Sequence, residues 1–143
     1  MKKLLFLFLW LPFTLFAAEK TKLMVDNGKH QYTLTVEVVK SEAERAQGLM
    51  GRTDLPDNQG MLFVYTQTTQ SPFWMKNTLI PLSIGFLDEE GTLLQVLDME
   101  PCRKEPCALY VPEVPYRYAL EVSKGWFKDH GIEKGAKMQW PHE

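Results

Sequence analysis

Strict alternation of apolar and polar positions first appears between Tyr32 and Val38. Tyr32, Leu34, Val36 and Val38 share one face of an extended segment, and Thr33, Thr35 and Glu37 share the other. With residues 23–26 before it and Asn27-Gly28 between, this predicts a β-hairpin. Ser41 and Glu44 then have the S-x-x-E spacing of a capping box, which predicts a short helix that Gly48 ends. Short apolar runs over 61–65 and 73–77 predict two further strands. Residues 82–87 and 92–99 flank Asp88-Glu89-Glu90-Gly91 as a second hairpin, with Ile84, Phe86, Leu94 and Val96 as its core residues. Tyr118, Leu120 and Val122 share a face of another strand, residues 125–129 suit one helical turn, and 136–140 a last strand. Prolines 101, 106, 112 and 115 make the intervening segment an ordered loop. The expected class is mainly β: a compact antiparallel β-sandwich or barrel with one or two short helices.

The N-terminus changes the picture of where such a domain works. Lys2 and Lys3 precede a 13-residue apolar run over 4–16, followed by Ala17-Ala18 and the charged Glu19-Lys20. This is the pattern of a secretory signal peptide over 1–18, and the run falls short of the ~20 residues that span a bilayer. Cleavage after Ala18 leaves residues 19–143 as a single β-rich domain, periplasmic or secreted, with no stable membrane span. Removing Lys2 and Lys3 takes the formal charge from −2 to −4. A mildly acidic chain without a basic run offers no footprint for nucleic acid.

Cys102 and Cys107 fit an oxidising compartment. They enclose a four-residue loop and are expected to close a disulfide that staples the domain. A redox-active dithiol is the rival reading, but the spacing is not C-x-x-C. No histidine lies beside the cysteines or the methionines, so no metal and no cofactor are expected.

The motifs also form an ordered series: Arg45, Gly48-Leu49-Met50-Gly51-Arg52, Leu55-Pro56, Gly60-Met61-Leu62-Phe63, Phe73-Trp74-Met75-Lys76-Asn77-Thr78 and Ile80-Pro81-Leu82. Met99-Glu100-Pro101-Cys102, Cys107, Tyr118-Ala119-Leu120-Glu121-Val122, Gly125-Trp126 and Gly131-Ile132 complete it. From about Leu34 to the C-terminus the chain resembles the bacterial and archaeal family catalogued as domain of unknown function, family 192. The resemblance implies a compact β-rich fold and no particular reaction.

Candidate chemistry centres on Trp74, Lys76 and Asn77, where a cation and an amide interrupt an apolar segment. Such groups are costly to bury unpaired. Trp74 would wall a pocket, with Lys76 and Asn77 supplying donors to a ligand. The plainer reading has Lys76 reaching water over apolar neighbours and Asn77 forming a turn. Arg45 and Arg52 would join Lys76 around an anionic group only if they converge; otherwise Arg45 pairs with Glu42 or Glu44, and Arg52 is a solvated charge. Glu121 lies off the core face of its strand, where a cross-strand cation could pair with it. No nucleophile–base pair is evident. The expectation is therefore an exported domain that binds a small polar or anionic ligand, or an envelope protein, near Trp74, Lys76 and Asn77. An envelope hydrolase or transferase using Lys76 and a carboxylate such as Glu121 is one alternative, and an envelope assembly accessory another.

Overall fold

Asn27 and Gly28 do turn the first hairpin. Asn27 Oδ1 accepts from the Lys29 and His30 amides, and Gly28 takes a φ of 85°. That geometry joins β1 (Glu19–Asp26) to β2 (Gln31–Val39), with Asp26 opposite Gln31. The computed structural model describes residues 18–142. The expected signal peptide, residues 1–18, lies outside the described residues apart from Ala18. No helix among the described residues is long and apolar enough to cross a membrane.

The capping box opens α1 (Glu42–Gln47) as the spacing requires. Ser41 Oγ accepts from the Glu44 amide at 3.1 Å, and the Glu44 carboxylate accepts from the Ser41 and Lys40 amides at 2.9 Å. These backbone donors hold the Glu44 carboxyl below its ordinary pKa. The helix returns the chain beside β2, so β3 (Gln59–Thr69) pairs parallel with it, Val36 facing Gly60. The other strand pairings among the described residues are antiparallel.

The remaining elements are β4 (Leu82–Leu87), β5 (Leu93–Met99), β6 (Tyr116–Ser123), α2 (Trp126–Asp129) and β7 (Lys137–Gln139). Among the described residues seven strands form one curled sheet, in the order β5-β4-β6-β3-β2-β1-β7. Its two edges meet at one end, where Met138 N donates to Gly91 O at 2.8 Å and Leu93 N to Ala136 O at 2.9 Å. The fold is thus mainly β, closer to a barrel than to a two-sheet sandwich.

Both faces of the sheet are covered. Leu34, Val36, Leu62, Leu120 and Val122 build one core with Trp126 and Phe127 of α2. Met61, Phe63, Ile84, Phe86 and Ala119 point to the opposite face and build a second core with Leu49, Phe73 and Met75. All six residues of β4 are buried for this reason.

Two expected elements differ. Residues 73–77 are not a strand. Phe73 makes one isolated bridge to Tyr110, and a turn follows in which Thr78 N donates to Met75 O and Asn77 adopts a φ of 55°. On β5 the register slips between Phe86–Gln95 and Leu87–Leu93, which leaves Leu94 as the extra residue of a bulge. Leu93 is consequently the fully buried residue and Leu94 is half-buried.

Gly91 sits where the edges close. Its φ is 77°, and a Cβ added there would lie only 2.3 Å from Met138 O. Gly91→Ala therefore forces the edges apart, at a cost of about 1–3 kcal/mol. Urea unfolding reads this as a lower midpoint. An unchanged midpoint would mean that this contact does not hold the closure.

Candidate functional site

The second core stops short of filling the space under α1. A cavity of about 310 Å³ opens there, walled by Phe63, Tyr65, Phe73 and Trp74 and bordered by Arg45, Gln47, Thr78 and Glu121. Its position follows from the chain. β3 and β6 supply the floor, α1 supplies one wall, and the segment from Ser71 to Thr78 supplies the other.

Glu121 is the chemically distinctive member. Across the sheet it lies opposite Met61 on one side and Ile84 on the other, so both neighbours on its face are apolar. The residue is only 5% exposed. No hydrogen bond or ion pair engages its side chain among the described residues, and burial alone pushes its pKa up to about 8. No occluded side-chain oxygen or nitrogen among those residues lacks a partner. The unpartnered Glu121 oxygens are therefore not fully occluded, and the residue lines the cavity. The cross-strand cation that its position off the first core would suggest is absent from both neighbouring strands.

Ring contacts tie three of the wall residues to the second core. The Phe63 and Phe73 rings meet edge to face at 5.2 Å, and Phe73 also contacts Phe86 at 5.9 Å. Tyr65 packs edge to face on Tyr116 at 5.4 Å. The Tyr116 hydroxyl donates to Ser71 O at 2.7 Å, and burial holds that phenol above its ordinary pKa. Arg45 at the rim places its guanidinium 4.6 Å over the Tyr65 ring and donates to the carbonyls of Lys40 and Val64. Its partners are backbone oxygens, not Glu42 or Glu44.

The structure thus brings Arg45, Trp74 and Glu121 to one cavity and takes the other three candidates elsewhere. The turn at Lys76-Asn77 swings both residues toward the loop closed by the Cys102–Cys107 disulfide, whose Cα atoms lie 5.4 Å apart. Lys76 Nζ sits 3.4 Å from a Glu105 carboxylate oxygen and 5.3 Å over the Trp74 ring. Together with Asn77 it borders a separate shallow depression of about 110 Å³. Arg52 pairs with Glu37 of β2. The three cations do not converge.

Phe63, Tyr65 and Phe73 escaped the sequence reading as wall residues. The available signal was the unbroken apolar start of β3, which marks a strand covered on both faces. Among the described residues, no group of three or more histidine, cysteine or acidic side chains could hold a metal ion.

Two solved structures share this architecture. One, provisionally named a transcription regulator, is from Sinorhizobium meliloti 1021. It is 29% identical, with a TM-score of 0.81, over 87% of this chain and 95% of its own. The other is a protein of unknown function from Novosphingobium aromaticivorans DSM 12444. It is 27% identical, with a TM-score of 0.81, over 89% of each chain. Comparison with curated proteins gives no match. The family model described as DUF192, Uncharacterized ACR, matches residues 23–140, and the chain belongs to that family of uncharacterised proteins, as its motif series implies.

Proposed function

We propose that this chain is an exported protein that binds a small molecule in the cavity under α1, with Glu121 as the polar anchor and Trp74 as the outer wall. The observation that carries the reading is Glu121 itself. A carboxyl placed between Met61 and Ile84 with no partner costs stability that an apolar residue would not. Such a cost makes sense where a ligand supplies the missing partner. A concavity of aromatic walls with a few polar groups is the usual construction of a small-molecule site. The Cys102–Cys107 disulfide and the N-terminal pattern of residues 1–18 support export.

A second reading has one observation in its favour. A carboxyl whose pKa lies near 8 is protonated at neutral pH and suits general-acid chemistry. Glu42, which also borders the cavity, would be the second carboxylate of such a hydrolase. Lys76 would take no part, since it borders the other depression.

The test is a thermal-shift panel of amino acids, amines, sugars, nucleotides and peptidoglycan fragments on wild type, Trp74→Ala and Glu121→Gln. Binding predicts that at least one class raises the wild-type melting temperature by several degrees through mass action, and that both variants lose the shift. A panel without a hit, or a hit that neither variant alters, would sink the reading.

A further inference from the structure

We propose that the ligand presents an organic cation, a primary or alkylated ammonium group, which seats on the Glu121 carboxylate among the aromatic walls of the cavity. The inference rests on the small-molecule reading above and names the chemical class.

The charges around the cavity point this way. From β4 and β3 the cross-strand neighbours of Glu121 are Ile84 and Met61, neither of which carries a charge. From α1 come Glu42 and Arg45. Arg45 is drawn to the rim by the Lys40 and Val64 carbonyls and by the Tyr65 ring, and no ion pair links it to Glu121 among the described residues. From the remaining wall come Tyr65 and the Ser71–Thr78 segment, and from β6 itself the Tyr116 phenol, which is engaged by Ser71 O. Among the described residues, Glu42 and Glu121 are the carboxyl groups that line the space and Arg45 is its lining cation, held by other partners, while Lys76, over the Trp74 ring, is held by Glu105.

The walls suit a cation equally well. Phe63, Tyr65, Phe73 and Trp74 line one concavity, and aromatic rings attract ammonium groups. At the rim the protein already uses this contact twice, with Arg45 over Tyr65 and Lys76 over Trp74. Above the raised pKa of Glu121 an anionic ligand would meet its charge, with Glu42 nearby. A neutral one would leave the Glu121 charge uncompensated above its raised pKa.

Binding then carries a proton signature. A fixed cation needs Glu121 ionised, so it must displace the proton that burial retains below about pH 8. Affinity for a quaternary ammonium, whose own charge never titrates, should rise about tenfold per pH unit from pH 6 toward pH 8 and then level off.

Isothermal titration of the purified protein with benzyltrimethylammonium and phenethylamine, each against an uncharged alcohol of similar shape, and with a methyl glucoside, tests this. The expected result is at least tenfold preference for the cations at pH 8.5, the stated pH rise for benzyltrimethylammonium, and loss of the preference in Glu121→Gln. The wild-type pH profile stands even if that variant fails to fold. Alcohols or the glucoside binding as well as the cations would overturn the cation assignment and leave the cavity reading intact. The same holds if the cations fail while the wider panel finds another class. Failure of every probe in both experiments would overturn both.

Discussion

Glu121→Met makes the protein more stable, and the gain is larger at pH 8 than at pH 5. The methionine places an apolar chain of similar length between Met61 and Ile84, the two residues that already flank position 121. At pH 5 the native carboxyl is neutral, and the substitution relieves only an unpartnered polar group, about 1 kcal/mol. At pH 8 the comparison changes. In the unfolded chain Glu121 titrates near the ordinary 4.5, whereas in the fold burial raises it to about 8. Between those values the folded state holds a proton that the unfolded state has lost. Wild-type stability therefore falls as pH rises through this window, by up to about 1.4 kcal/mol per unit from this one group. The contribution is fully present below 4.5 and lost by the time pH has passed the folded value. Methionine has no such slope. Thermal unfolding of both proteins at pH 5, 6.5 and 8 should show melting curves that diverge with pH. Parallel curves would show that water in the cavity solvates the carboxylate, and with it that Glu121 is no strained anchor. A large gain would also mark position 121 as one where stability has been given up, as is common at sites that bind or react.

Why the sequence shows the strand of Glu121 but not its surroundings is a matter of layers. Alternation along Tyr118, Leu120 and Val122 correctly places Glu121 on the other face. It does not say whether that face meets water or a second layer of protein. Here Leu49, Phe73 and Met75 cover it, and those residues come from loops whose path no periodicity encodes. The hint lay in β3, where Met61-Leu62-Phe63-Val64 is apolar without alternation. Local chemistry was far more legible. Asn27-Gly28 and the Ser41–Glu44 box act through backbone hydrogen bonds within a few residues, so their spacing suffices to read them. The turn at Lys76-Asn77 is also local, and asparagine, which takes a positive φ more readily than other non-glycine residues, marks it in the plainer reading of Asn77. Treating 73–77 as a regular strand put Lys76 on the same side as Trp74 and Thr78. The turn instead lays the Lys76 amine over the Trp74 ring and beside Glu105, while Trp74 and Thr78 border the cavity. The Leu93–Leu94 exchange has the same origin, because a bulge inverts alternation without changing composition.

Ahead of that turn, two adjacent aromatic residues make opposite experiments. Phe73→Ala should destabilise the protein by about 3–5 kcal/mol, the range for an aromatic ring lost from a packed core. Phe73 is 9% exposed and its ring touches Phe63, Phe86 and Tyr116, so three neighbours lose a contact and none can close the gap alone. Its backbone also exchanges two hydrogen bonds with Tyr110, at 2.9 and 2.8 Å, and these hold the surrounding loops in place. Trp74 lies next to it but is 46% exposed, because an extended chain turns successive side chains to opposite sides. Trp74→Ala should therefore cost under about 1 kcal/mol while removing the outer wall of the cavity. Urea unfolding of the two variants, read beside their ligand-induced thermal shifts, separates the roles. Phe73→Ala is expected to lose stability first and binding through it, and Trp74→Ala to lose binding with its midpoint nearly unchanged. Should Trp74→Ala unfold as readily as Phe73→Ala, its ring would be serving the core. Trp74 would then no longer mark the mouth of a site, and the cavity would have to be sought as a packing defect of the second core.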